Sequence, residues 1–95
     1  MVYEIHWTDN ALNDLENLLE FIQNNWSDKE LDSFKSVLRD YLGVLSVFPL
    51  AFPKSTELEV ELRRVVITSQ TSIIYRIVNP KSIHIIRLLD NRSLI

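Results

Sequence analysis

Apolar residues recur along this 95-residue chain with two different periods, and the period distinguishes helices from strands. In residues 2–7, Tyr3, Ile5 and Trp7 alternate with Glu4 and His6, a period of two that is typical of a β-strand. From about residue 9 to residue 25, and again from residue 28 to a point between residues 43 and 48, apolar residues recur every three or four positions. This second period predicts two amphipathic helices.

Polar residues mark where each predicted helix begins. Thr8, followed by Asp9 and Asn10, supplies an N-cap for the first helix. Ser27 and Glu30 fit a capping box at the start of the second. Two amphipathic helices joined by a short capped turn predict a helical hairpin. Residues 49–56 contain clustered prolines, which favour extended backbone after the hairpin.

Residues 58–92 return to the period of two. They predict three strands, at about residues 58–67, 72–78 and 83–89, with turns at residues 68–71 and 79–81. Because both connections are short, the three strands should form an antiparallel meander.

Strict alternation assigns side chains to faces of these strands. In the first strand it puts Arg63 on a solvent-facing side with glutamates, and Arg64 with Leu62 and Val66, at the edge of the core. In the third strand it puts Arg87 on the face of Ile83, Ile85 and Leu89.

The resulting order is β-α-α-β-β-β. It predicts a single α+β domain over residues 1–95, with two layers: a helical hairpin packed on a curved, mainly antiparallel four-stranded sheet. Fold alone names no function, so function must come from particular side chains.

Composition excludes several kinds of functional site. The chain has no cysteine, which excludes disulfides, thiolate zinc sites and a cysteine nucleophile. No second histidine or carboxylate lies at metal-ligand spacing from His6, and no phosphate-binding glycine loop is present, so neither a metal nor a cofactor is expected. The N-terminus lacks the pattern of a signal peptide and no apolar run reaches the ~20 residues that span a bilayer, so we expect a cytoplasmic protein without a membrane partner.

Charge is divided unevenly along the chain. Residues 1–62 carry four Lys/Arg against twelve Asp/Glu, a formal charge of −8, whereas residues 63–95 carry six against one, a charge of +5. Two interpretations are open. The meander presents a local site for a polyanion, or its arginines pair with helix carboxylates within the fold. Guanidinium groups bind phosphates bidentately and stabilise charge on a transferred phosphoryl group, which makes the arginines the candidate functional residues.

Three segments resemble a known family. The element order, "LRR" in the first meander strand, "IIYRI" in the second and "IHIIRLLDNR" at the end are similar to the RelE/ParE superfamily of bacterial type II toxins, over nearly the whole chain. The resemblance implies a toxin held inactive by a cognate antitoxin. RelE-like members cleave mRNA on the ribosome, and ParE-like members inhibit DNA gyrase.

The resemblance also implies roles for basic residues. Arg63 and Arg92 stand at the family's basic positions and are the candidate catalytic residues, with Lys54, Arg64 and Arg87 as candidate phosphate contacts. The usual proton-transfer group is not recognisable, because Asp90 stands where many nuclease members have histidine and the chain ends without a tyrosine. Ribosome-dependent mRNA cleavage and gyrase inhibition therefore both stay open, and the alternative is a catalytically inactive interaction module.

Overall fold

The computed structural model describes residues 2–55 and 61–91, and its elements occur in the predicted order with one addition. The elements are β1 (Glu4–Trp7), α1 (Asp9–Asn25), α2 (Asp28–Val47), β2 (Lys54–Ser55), β3 (Leu62–Val66), β4 (Thr71–Asn79) and β5 (Ser82–Asp90). The two-residue strand β2 was not predicted. The predicted start of the first meander strand, residues 58–60, lies outside the described residues.

The strands form one sheet in the order β1-β5-β4-β3-β2. Strand β1 pairs with β5 in parallel, and the other described pairs are antiparallel. The two helices pack on one face of this sheet. The predicted two-layer α+β fold with a mainly antiparallel sheet is therefore confirmed. Its four principal strands are β1, β3, β4 and β5, and β2 extends it at one edge.

The predicted N-caps are present at the start of both helices. The Thr8 hydroxyl accepts a hydrogen bond from the Ala11 amide (3.2 Å) and donates to the Ile85 carbonyl of β5 (3.0 Å). The start of α1 is thus capped and fixed to the sheet by the same side chain. Ser27 accepts from the Glu30 amide (3.2 Å) at the start of α2. None of the helices in the described ranges is long and apolar enough to cross a lipid bilayer.

The core lies between the helices and the inner face of the sheet. Strand partners in register place their side chains on that face together: Val65 opposite Ile73, and Tyr75 opposite Ile85. Ala11, Phe34, Leu38 and Leu45 of the helices are buried against it. Burial of these apolar side chains is the main source of stability for a domain of this size.

Strand β5 contains a β-bulge that the alternation rule did not predict. Ile74 pairs with Arg87 and Tyr75 with Ile85, so Ile86 has no partner on β4. The extra residue reverses the faces of the residues beyond it, because side chains alternate with a period of two. Leu88 is 6% exposed and belongs to the core, whereas Arg87 is exposed. The prediction that Arg87 and Leu89 share the face of Ile83 and Ile85 is wrong beyond the bulge.

The bulge also creates a polar contact between β5 and α1. The Arg87 guanidinium donates two hydrogen bonds to the Asp14 carboxylate (2.6 and 3.0 Å), which also accepts from the Leu88 amide (3.1 Å). The hydrogen bond from Arg87 is the main cause that lowers the pKa of Asp14 below its ordinary value, against the opposing effect of desolvation. One carboxylate therefore joins the helix layer to the sheet.

Replacing Asp14 by Asn should destabilise the fold by up to about 1 kcal/mol near neutral pH, because the charged acceptor of the half-exposed Arg87 is lost. A group with a depressed folded-state pKa stabilises the fold above its unfolded pKa, and this contribution disappears as the pH falls through the folded value. Urea unfolding of wild type and D14N should therefore differ above about pH 4 and converge at lower pH.

Glu16→Gln is the matched control, since Glu16 is an exposed carboxylate on the same helix. E16Q should unfold like the wild type across this pH range. Equal stability of D14N and wild type at pH 7 would contradict the proposed contribution of Asp14.

Candidate functional site

The structure does not gather the predicted site residues into one cluster. Lys54 and Arg63 face each other as partners of β2 and β3. Arg64 points to the opposite face of the sheet, and Arg87 lies on β5 beyond the bulge, against Asp14. Arg92, the second candidate catalytic residue, lies outside the described residues. The described basic residues are thus divided among three places.

Arg63 is buried on the inner face, with 7% of its surface exposed. It donates hydrogen bonds to the Phe52 carbonyl (2.7 Å) and to Glu61 (2.8 Å). The prediction of a solvent-facing Arg63 is wrong. Its cross-strand partner is the core residue Tyr75, and the connection between α2 and β2, residues 48–53, covers both.

Tyr75 also contacts the connection between α2 and β2. It is fully buried and donates a hydrogen bond from its hydroxyl to the Pro49 carbonyl (2.6 Å). Desolvation raises the pKa of Tyr75 to about 12, although the charge of Arg63 acts in the opposite direction. A phenol that ionises so far above neutral pH is a poor general base. Arg63 and Tyr75 together therefore act as donors that hold residues 48–53 on the sheet.

Lys54 contributes to the same cluster from its exposed edge. Its ammonium lies 3.5 Å from Glu61, which also pairs with Arg63 at 2.8 Å. Desolvation acts to raise the pKa of Glu61, but the charge of Lys54 and the hydrogen bond from Arg63 outweigh it, so the pKa lies below its ordinary value. Glu61 thus remains ionised at neutral pH and offsets part of the positive charge here.

Arg64 belongs to a different network, on the outer face. Its Nε donates to the Ser72 hydroxyl (3.1 Å) and one terminal nitrogen donates to the Asn91 side-chain oxygen (3.0 Å). Ser72 also donates to that oxygen. The hypothesis that Arg64 borders the core with Leu62 and Val66 is wrong, because the inner residues of β3 are Arg63 and Val65. No periodicity could reveal this network, since its members come from three separate segments.

The histidines meet on the outer face, which sequence spacing did not indicate. His6 and His84 are register partners on β1 and β5, with ring centroids 5.7 Å apart. His6 also lies 3.3 Å from the Glu4 carboxylate. Within the two described ranges, no three or more potential ligands are placed to hold a metal ion.

An apolar groove of about 500 Å³ runs between the helical hairpin and the β3–β4 turn. Phe21 and Trp26 of the hairpin line it, with 52% and 48% of their surfaces exposed. Carboxylates, including Glu30 and Asp90, lie along its border. Exposed aromatic side chains in a groove with an acidic border are typical of a surface that another protein segment covers.

Comparison with known proteins identifies the family. The family model of the ParE toxin of the type II toxin-antitoxin system parDE matches residues 5–95. The chain belongs to the ParE toxin family. No curated protein sequence matches it significantly.

Solved structures show the same fold. A chain of the chromosomal ParDE toxin-antitoxin system from P. aeruginosa is 16% identical with a TM-score of 0.74, covering 94% of this chain and 96% of its own. A chain of the RelBE2 toxin-antitoxin complex from Mycobacterium tuberculosis is 21% identical with a TM-score of 0.62, covering 96% and 100%. A metal-bound toxin from Helicobacter pylori is 19% identical with a TM-score of 0.70, covering all of both chains. The RelE/ParE resemblance is confirmed.

Replacing Tyr75 by Phe should cost about 1–2 kcal/mol, because the Pro49 carbonyl loses its buried donor. Tyrosinate absorbance of the wild type should include a group that titrates near pH 12, and this late titration should be lost in Y75F. Tyr41→Phe is the control and should retain that late titration. A late titration that persists in Y75F would contradict the assignment.

Proposed function

We propose that this ParE-family toxin inhibits growth by binding DNA gyrase and not by cleaving mRNA. The observation that carries the proposal is the burial of Arg63, whose guanidinium is engaged by Phe52 and Glu61. A catalytic arginine must present donors to the charge that develops on the phosphate. Arg63 donates from both terminal nitrogens to the protein, and its Nε is buried.

The other described candidates support the same proposal. Arg64 donates to Ser72 and Asn91, and Arg87 donates to Asp14. In each arginine, Nε and one terminal nitrogen are thus engaged within the protein, and these two groups could bind a phosphate bidentately only if these hydrogen bonds broke. Metal-free RNA cleavage also needs a proton-transfer group near the cationic residues, and the pKa of Tyr75 makes this tyrosine unsuitable. Inhibition by binding requires none of these groups to be free.

Arg92 is the residue that we propose for contact with the target. It stands two residues after the end of β5 in the sequence, at the basic position that the family resemblance indicates. Ribosome-dependent mRNA cleavage, which the family resemblance of the sequence also implies, is the competing outcome.

Purified protein should inhibit DNA supercoiling by gyrase, and Arg92→Ala should weaken inhibition at least tenfold. Arg39→Ala is the matched control, because Arg39 is an exposed arginine on the helix layer, and it should inhibit like the wild type. The same proteins induced in cells are compared by mapping mRNA 5′ ends. Growth arrest with new cleavage sites and undisturbed supercoiling would overturn the gyrase proposal in favour of mRNA cleavage.

We further propose that the apolar groove receives the cognate antitoxin. Its border is acidic, and helices α1 and α2 carry most of the negative charge of the chain. The complementary occupant is an amphipathic helix with apolar anchors and flanking Lys or Arg residues. Phe21 and Trp26 are the aromatic contacts for its apolar side.

Trp26→Ala should weaken antitoxin binding at least tenfold, or about 1.4 kcal/mol, because truncating an aromatic anchor removes contact area at the centre of an interface. Isothermal titration with the cognate antitoxin measures this change. Leu50→Ala is the control, since Leu50 is 67% exposed and does not line this groove. Equal affinity of W26A and wild type would place the antitoxin elsewhere.

A further inference from the structure

We propose that the outer face of the sheet is a docking surface for an acidic protein segment, with Arg76 as its central residue. Arg64, Arg76, His84 and His6 define this surface, the cationic face, on strands β3, β4, β5 and β1. The inference rests on the proposed function in one respect, since it takes the acidic segment to belong to the gyrase target. Arg76 was not among the candidate site residues of the sequence.

The strand register brings these four side chains together. Arg76 pairs with His84, and His84 pairs with His6, so the three share one face of the sheet. Arg64 pairs with Ile74, two residues before Arg76, which makes Arg64 and Arg76 diagonal neighbours. Such neighbours on one face lie about 7–8 Å apart. The four side chains therefore form one row across four adjacent strands.

The positive charge of the cationic face is not neutralised by the part of the chain that the structure describes. Arg76 is exposed and has no hydrogen-bond or ion-pair partner among those residues. Arg64 donates hydrogen bonds, but its two acceptors are neutral side chains. The Glu4 carboxylate lies on the same face, but at the edge strand β1 and 3.3 Å from His6. Arg76 thus offers a charged guanidinium with free donors to a partner.

The cationic face is open, and its apolar side chains indicate the class of partner. Both helices pack on the inner face, against the buried core. Val66, 52% exposed, and the half-buried Ile74 lie beside the arginines. Phe, Tyr and Trp are absent from the described residues of this face, whereas unpaired nucleic-acid bases stack on aromatic side chains. A protein segment that combines acidic and aliphatic side chains is the better match.

The spacing of the arginines fits an extended acidic segment. In such a segment, residues i and i+2 point to the same side and lie about 6–7 Å apart, close to the expected separation of Arg64 and Arg76. One carboxylate would accept bidentate hydrogen bonds from Arg76, and the other would be attracted by the charge of Arg64. The cationic face and the acid-bordered apolar groove are therefore complementary to partners of opposite charge.

Charge reversal tests the surface on the target. Arg76→Glu should weaken binding of purified gyrase at least tenfold, measured by surface plasmon resonance, because an attraction becomes a repulsion. Arg76→Lys keeps the charge and should retain most of the affinity. Arg39→Glu is the matched control, since it makes the same change at an exposed position of the helix layer, and it should bind like the wild type. Equal binding of wild type and R76E would overturn the proposed surface.

A peptide with glutamate at alternate positions tests the surface without gyrase. It should bind the wild type, bind R76E at least tenfold more weakly, and shift the amide NMR signals of Arg76 and His84 but not those of Phe21 and Trp26 in the groove. Tighter binding of single-stranded DNA of equal charge would overturn the acidic protein segment in favour of a nucleic acid.

The two experiments separate the two proposals. A wild type that binds the peptide through Arg76 but does not bind gyrase would overturn the proposed function alone. A wild type that binds gyrase, with peptide binding absent or unchanged in R76E, would overturn the cationic face alone.

Discussion

The extra residue in β5 is the constraint on which the rest of the arrangement depends. Strand β5 is the only described strand that pairs with both β1 and β4, so a shift in its register affects the whole sheet. With Ile86 unmatched, Leu88 turns into the core and Arg87 turns toward Asp14. The Leu88 amide becomes available to the same carboxylate. A single inserted residue thereby converts a strand arginine into a link between the two layers.

The contacts of the described basic residues account for the division of charge along the chain. The helices are acidic and the meander is basic, and either a polyanion site or internal pairing could account for that pattern. Arg87 pairs with a helix carboxylate, Arg63 and Lys54 pair with Glu61 at the start of β3, and Arg64 pairs with neutral side chains. For these residues internal pairing prevails. Guanidinium nitrogens that donate to short protein acceptors are stabilised in place, and turning them to an incoming phosphate costs those hydrogen bonds.

Local signals predicted much of the fold. The caps at Thr8 and Ser27, the helix periods and the short connections all reflect interactions between residues close in sequence, which is why sequence alone indicates them. The inward turn of Arg63 could not be predicted in this way, because alternation fixes which residues share a face and not which face is buried. Pairing with Tyr75 and coverage by residues 48–53 decide that, and both are contacts between distant segments.

The same distinction between local interactions and contacts of distant segments applies to the candidate functional residues. Basic residues and the family resemblance indicated that the meander carries the functional residues. Only tertiary contacts show which arginines donate hydrogen bonds within the protein. The β3–β4 turn connects the apolar groove with the network of Arg64, Ser72 and Asn91, since Thr68 and Gln70 line the groove and their carbonyls accept the hydrogen bonds of Asn91. A segment seated in the groove would contact this turn. Occupation of the groove and the stability of that network are therefore coupled, and by linkage each affects the free energy of the other.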